Sequence, residues 1–128
     1  MTIETYDQNI QTICDFAIKI LKVDGLHFRP MRRKNNQVNT KYGYVLARTN
    51  LKTKLITIDI YTTKKRDAKK ISSILRILCH EVAHHQKKPF RQRYKGKIIN
   101  RQHYPEFYQQ VNKNIKILAS NTVLKKYF

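Results

Sequence analysis

The run His80-Glu81-Val82-Ala83-His84-His85 holds the residue types with the clearest chemical use in this chain. Its first five residues satisfy H-E-x-x-H. On a helix, positions i and i+4 differ by about 40° around the axis, so the imidazoles of His80 and His84 leave one face and can reach one ion. Zinc takes imidazole nitrogens at about 2.0–2.1 Å, and a catalytic zinc has three protein ligands with a fourth position left open. Glu81 is turned about 100° from His80, which keeps its carboxylate out of the ligand set but beside that open position. There it can take a proton from a zinc-activated water as the water attacks a polarised carbonyl. The expected chemistry is metal-assisted hydrolysis, with Glu81 as catalytic base and one Zn2+ per chain.

Two helix histidines leave a third ligand to be found. His103, in His103-Tyr104-Pro105-Glu106-Phe107, stands where a second helix would begin and present it rigidly. Glu106, one turn further on, competes with it. His85 lies about 100° from His84, wrong for the same ion, and is expected to pack or hydrogen-bond locally. His27 has only a structural reading.

The elements that must position these residues can be read from periodicity. Apolar residues from Ile3 to Leu21 recur at three- and four-residue intervals, which predicts a helix over Thr5–Val23 ended by Asp24-Gly25. Leu26–Arg32 reads as a short extended segment that Pro30 places at an edge or a strand end. Tyr42–Arg48 and Leu55–Tyr61 read as strands joined by a turn at Asn50–Thr53. In the second, Ile56, Ile58 and Ile60 face one way and Leu55, Thr57, Asp59 and Tyr61 the other. Asp67 suits the N-cap or first turn of a long helix reaching Lys87, with Ile71, Ile74, Leu75, Leu78 and Val82 as its core stripe. Lys88–Gln102 reads as a basic loop. A last helix runs from Tyr104–Pro105 toward Leu124, with Phe107, Val111, Ile115, Leu118 and Val123 as apolar positions. The order predicts a small α+β single domain over residues 1–128: an N-terminal helix, a three-stranded, mainly antiparallel sheet, the motif helix and a C-terminal helix.

The chain has 128 residues, 27 Lys plus Arg against 8 Asp plus Glu, and a net charge of +19. The first 28 residues carry −2, so the remaining hundred carry +21. Dense clusters lie at Arg29–Lys34, Lys64–Lys70 and Lys87–Arg101. Such a field draws polyanions, and nucleic acid above all. Lys87, Lys88, Arg91, Arg93, Lys95, Lys97 and Arg101 are candidate phosphate contacts, and Tyr94 with Phe90 can stack on bases of a single strand. A plain flexible basic loop is the alternative. Single-stranded DNA is the preferred partner, with RNA left open. The acidic N-terminus lacks the pattern of a secretory signal, and no run reaches the roughly 20 apolar residues of a membrane span. Cys14 and Cys79 read as buried thiols of a reducing compartment. A cytoplasmic monomer is expected, nucleoid-associated or nuclear according to the cell.

YGYVLARTNLKTKLITIDIY, the helix ending in HEVAHH and the later HYPEFY together resemble the SprT-like (Spartan-type) zinc metalloproteases, related to the minigluzincins. The resemblance covers about residues 42–111. It implies a protease acting on DNA-crosslinked or other nucleic-acid-associated proteins, with His80, His84 and His103 as ligands, Glu81 as base and Phe107 packed behind His103. Tyr104 stands where that family usually has glycine, and minigluzincins use a glutamate as third ligand, which keeps Glu106 open. The chain has no cysteine-rich zinc ribbon, so any nucleic-acid contact falls to this domain itself. Substrate is expected to lie extended along a sheet edge, selected by access more than by sequence. Tyr94, Tyr104 and Tyr108 are possible oxyanion helpers. The competing function is a basic nucleic-acid-binding module whose zinc is structural or vestigial. A further version is a latent protease whose cleft is blocked by Lys125–Phe128.

Overall fold

The computed structural model describes residues 3–33, 36–38 and 45–128. Helix α1 (Ile3–Leu21) is followed by strand β1 (His27–Pro30), strands β2 (Ala47–Asn50) and β3 (Leu55–Ile58), and helix α2 (Ile71–Gln86). Strands β4 (Phe90–Tyr94) and β5 (Lys97–Arg101), helix α3 (Pro105–Ala119) and a 3-10 turn at Lys125–Tyr127 complete the chain. The architecture is α+β. Residues 42–44 of the expected 42–48 strand, and Lys34 of the first basic cluster, lie outside the described residues.

Helix α1 ends where Lys22 turns left-handed at φ 58°, and Gly25 follows at φ 78°, a conformation that costs glycine little. The main sheet has the order β1-β3-β2. β1 runs parallel to β3, a pairing the sequence did not announce, and β2 runs antiparallel to it. Pro30 lacks an amide hydrogen and sits at the end of an edge strand, as expected. Asn50 shapes the β2–β3 turn, its Oδ1 accepting from the amides of Lys52 (2.9 Å) and Thr53 (3.0 Å).

The core lies where α1 and α2 meet the sheet. Ile56, Ile58 and Ile60 are fully buried with Ile10, Ala17, Ile74, Leu75, Leu78 and Val82. Each large aliphatic side chain removed from water stabilises the fold by about 1.5–3 kcal/mol. α3 packs against α2 and α1 and contributes Phe107 and Leu118. Its helix stops at Ala119 rather than near Leu124. Val123 is exposed instead of apolar core, while Leu124 is buried.

Three expectations about local structure require correction. Asp67 does not cap α2, whose N-cap is Lys70. Residues 62–67 form a turn instead, closed by Thr62 N–H donating to the Asp67 carbonyl at 2.7 Å. Arg66, with φ 55°, reaches back from that turn to Asp59. Beyond the turn, Ala68 bridges to Tyr61 and the Lys69 amide donates to the Ile60 carbonyl at 2.9 Å, so the chain stays beside the sheet until the helix begins at Ile71. Asp59, assigned by alternation to the outer face, is completely buried. Arg33 donates to it at 2.8 Å and Arg66 at 2.7 Å. Burial alone would raise its pKa, but the bonds from Arg66, Arg33 and the Tyr61 amide outweigh that and hold it below the ordinary carboxylate value.

The third correction concerns Lys88–Gln102, expected as a loop. It is an antiparallel hairpin, with Phe90 opposite Arg101 and Tyr94 opposite Lys97. Lys95 (φ 49°) and Gly96 (φ 77°) form its two-residue turn. Positive φ at both central positions is the type I′ geometry, which matches strand twist. A lone two-stranded ribbon is marginal in water. Its base is secured by Tyr104, whose hydroxyl donates to the Lys88 carbonyl at 2.9 Å and whose ring meets Phe90 edge to face at 5.0 Å.

Candidate metal centre and cleft

His80 and His84 sit on α2 one turn apart, and His103 stands two residues before α3. One nitrogen from each ring lies within 4.8 Å of the others, and among the described residues these three form the one group of its kind. Ring centroids are 5.1 Å apart for His80 and His84, 5.2 Å for His80 and His103, and 5.0 Å for His84 and His103. His80 Nε2 and His103 Nε2 are 3.3 Å apart. Two nitrogens sharing a tetrahedral ion at about 2.0–2.1 Å are separated by about 3.3–3.4 Å, so this pair already has the spacing of a metal-site edge. Glu106 is exposed, outside the group.

The surroundings prepare the donors. Burial lowers the pKa of His84 to about 4, with the neighbouring His80, His103 and His85 adding to the effect. His80 is lowered too, by burial first and then by His103. Both rings are therefore neutral near pH 7, the form that binds a cation. Phe107 is fully buried and touches all three imidazoles, stacked on His84 at 4.5 Å and edge-on to His80 at 5.0 Å and His103 at 5.1 Å. It is a common backstop that fixes their directions. A three-histidine set of neutral donors with this spacing fits a divalent transition metal.

Asn114, on α3, holds that helix to α2. Its amide donates to the Cys79 carbonyl at 3.2 Å and to Gln86 Oε1 at 2.7 Å, while Gln110 donates to its Oδ1 at 3.0 Å. The sequence reading missed it. The available signal was a fully polar residue at the i+7 position from Phe107 on an otherwise apolar face.

Glu81 is 8% exposed, and burial raises its pKa to about 7. It lines a cavity of about 510 Å³ with His80, His84, His103, Ala47, Arg48, Thr49, Leu51, Pro89 and Gln102. A second depression, about 540 Å³, shares His80, Glu81 and Ala47 with it and adds Leu46, Arg76 and Ile77. A groove of about 560 Å³ between α1 and β1 is slightly larger, but it is lined by His27 and by none of His80, His84 and His103. None of residues 125–128 lines either cavity at His80; that segment packs on the body, with Phe128 beneath the Arg76 guanidinium.

Strand β2 borders the cleft, and among the described residues no strand pairs with its outer edge. The Asp59 amide donates to the Leu46 carbonyl, which makes 46, 48 and 50 the positions whose backbone groups point toward β3. Ala47 and Thr49 therefore direct theirs to the open edge, and both line the cavity. The Thr49 hydroxyl is hydrogen-bonded to His85 Nε2, tying the edge strand to the motif helix. His85 was expected to pack or hydrogen-bond locally; its partner instead lies 36 residues away, on the edge strand.

Of the three tyrosines, Tyr104 spends its hydroxyl on Lys88, Tyr94 lies at the hairpin tip beneath Arg101, and Tyr108 stacks on His103 at 6.1 Å between ring centroids. Lys87, Lys88, Arg91, Arg93, Tyr94, Lys95 and Lys97 are exposed and Arg101 partly so. They lie on the hairpin and the chain leading into it, outside the cavity. Among the described residues no helix is long and apolar enough to cross a membrane. No protein-family model, no curated protein and no solved structure matches the chain.

Proposed function

We propose that the chain is a zinc-dependent endopeptidase of the SprT-like kind, acting on proteins associated with nucleic acid. The observation that carries this reading is a buried carboxyl, Glu81, placed in one cavity with three imidazoles at metal-ligand spacing. A purely structural site has no use for such a base. His80, His84 and His103 would hold the ion. Zinc bound there supplies a Lewis acid that polarises the scissile carbonyl and makes water more acidic.

The remaining steps belong to the protein. An extended peptide pairs with the outward amides and carbonyls of Ala47 and Thr49, which sets its scissile bond over Glu81. Glu81 takes a proton from the attacking water as the new carbon–oxygen bond forms. It then gives that proton to the amide nitrogen as the carbon–nitrogen bond breaks, leaving a carboxylic acid, which keeps the water's other proton, and an amine. A nearby dication favours the ionised carboxyl, so a pKa near 7 without metal moves down toward a competent base when the site is loaded. The cleft is open, which suits selection by access and tethering.

The test is Glu81→Gln. The variant is expected to keep one zinc per chain and the same fold, and to lose at least about a hundredfold in cleavage of an unfolded protein substrate. Equal cleavage by wild type and variant would overturn the hydrolytic reading and favour a basic binding module.

A further inference from the structure

The hairpin β4–β5 makes its principal contacts within itself and projects nearly all its side chains into solvent. In an antiparallel pair, residues directly opposite share a face. One face therefore carries Phe90 opposite Arg101, Gln92 opposite Ile99, and Tyr94 opposite Lys97. The other carries Arg91 opposite Asn100 and Arg93 opposite Ile98. The first face repeats one unit at its two ends: an aromatic ring with a cation across the ladder. Phe90 and Tyr94 are four residues apart on a strand, or about 13 Å, so each ring can serve a separate base. Both rings are well exposed, at 44% and 49%.

We propose that this face is a binding site for single-stranded nucleic acid, with bases stacked on Phe90 and Tyr94 and phosphates held by Arg101 and Lys97. Charge complementarity is strong, since every ionisable side chain of the hairpin other than the Tyr94 phenol is basic. Exposed aromatics distinguish the occupant. A duplex keeps its base faces stacked internally and an acidic protein has none, whereas a single strand offers them freely. Arg101 is already held over this face, its Nε donating to Gln92 Oε1 at 2.9 Å and its guanidinium lying 5.6 Å from the Tyr94 ring centroid. Tyr104 anchors the Phe90 end to α3, and β5 ends two residues before His103. A bound strand is thus held beside the cleft. Strand binding at this face does not depend on the protease reading; that protein carried on such a strand is the substrate rests on it.

The experiment is fluorescence anisotropy of the full-length chain carrying Glu81→Gln with labelled oligo-dT and oligo-U of about twelve nucleotides, and a duplex of equal length. Both single strands are expected to bind more tightly than the duplex; the two sugars separate DNA from RNA preference. Tyr94→Leu, at the free tip, should weaken single-strand binding about tenfold with its salt dependence unchanged. Phe90→Leu should act likewise, and Tyr94→Leu still reports if Phe90→Leu loosens the hairpin. Lys97→Gln with Arg101→Gln should lower the logarithmic salt slope by about 1.4. Arg91→Gln with Arg93→Gln, on the opposite face, should lower it less. Equal binding of duplex and single strand with no effect of Tyr94→Leu, or no binding at all, would overturn the proposal. Cleavage by the Glu81 protein is scored separately, so binding without cleavage removes only the protease reading.

Discussion

Glu81 and His84 share one buried site with opposite consequences for protonation. Without metal, the Glu81 carboxyl titrates near 7 in the folded chain against an ordinary 4.5, so between those values the folded state binds more protons and stability falls as pH rises. His84 titrates near 4 against an ordinary 6.5; there the unfolded state binds more protons and stability rises with pH. The two slopes oppose each other from pH 4.5 to 6.5. Glu81→Gln removes only the falling one. In urea titrations of chelator-treated protein, the variant should gain on wild type by roughly 1–3 kcal/mol between pH 4.5 and 7. A difference that stays constant with pH would refute the buried-acid assignment. Asp59 behaves in the opposite way to Glu81. Its depressed pKa means that its contribution is complete above an ordinary 3.8 and is lost as pH falls through the lower folded value. Asp59→Ala leaves Arg33 and Arg66 in place around a missing carboxylate and should cost about 3–5 kcal/mol in chemical denaturation. The motif residues were legible because each has a fixed spacing on one helix. Asp59 was not, because its partners come from the turn before α2 and from Arg33, outside any local period.

At the scale of elements, the hydrogen bond between Thr49 and His85 couples the edge strand to the motif helix. Thr49→Val keeps the shape of the side chain and removes the hydroxyl. If β2 seats an extended substrate, the variant should raise KM severalfold with kcat little changed, at a stability cost of about 1 kcal/mol. A fall in kcat at constant KM would assign the bond to the chemistry rather than to seating. The helices of this chain were readable from their apolar stripes to within two to four residues at most ends, α3 apart, where the chain turns after Ala119. The hairpin was not. Alternation reveals a strand only when one face is buried, and Phe90–Tyr94 and Lys97–Arg101 are solvated on both. The usable signal was Lys95-Gly96 between two five-residue runs, a type I′ turn without the usual asparagine. The parallel pairing of β1 with β3 was equally hidden, since strand order depends on how the chain crosses the sheet and not on local composition.

For the whole molecule, +19 of charge surrounds a cluster of three imidazoles that could hold a metal ion, with no charge of their own in the form that binds a cation. The excess lies away from the N-terminal helix, and one dense part forms the hairpin beside His103. Fold class was legible from the order of elements, and so was a third ligand near the start of the last helix, but that order left His103 and Glu106 both open, and it is the folded chain that groups His103 with His80 and His84. What the order could not supply was the packing that fixes them, namely Phe107 behind all three rings and Asn114 across the two helices. The most direct measurement is anomalous diffraction at the zinc edge from crystals of metal-loaded protein, paired with metal analysis of the same sample. One peak per chain is predicted, about 2.0–2.1 Å from a nitrogen of each of His80, His84 and His103. A fully loaded crystal with the peak elsewhere, or with His103 turned away from it, would contradict the account.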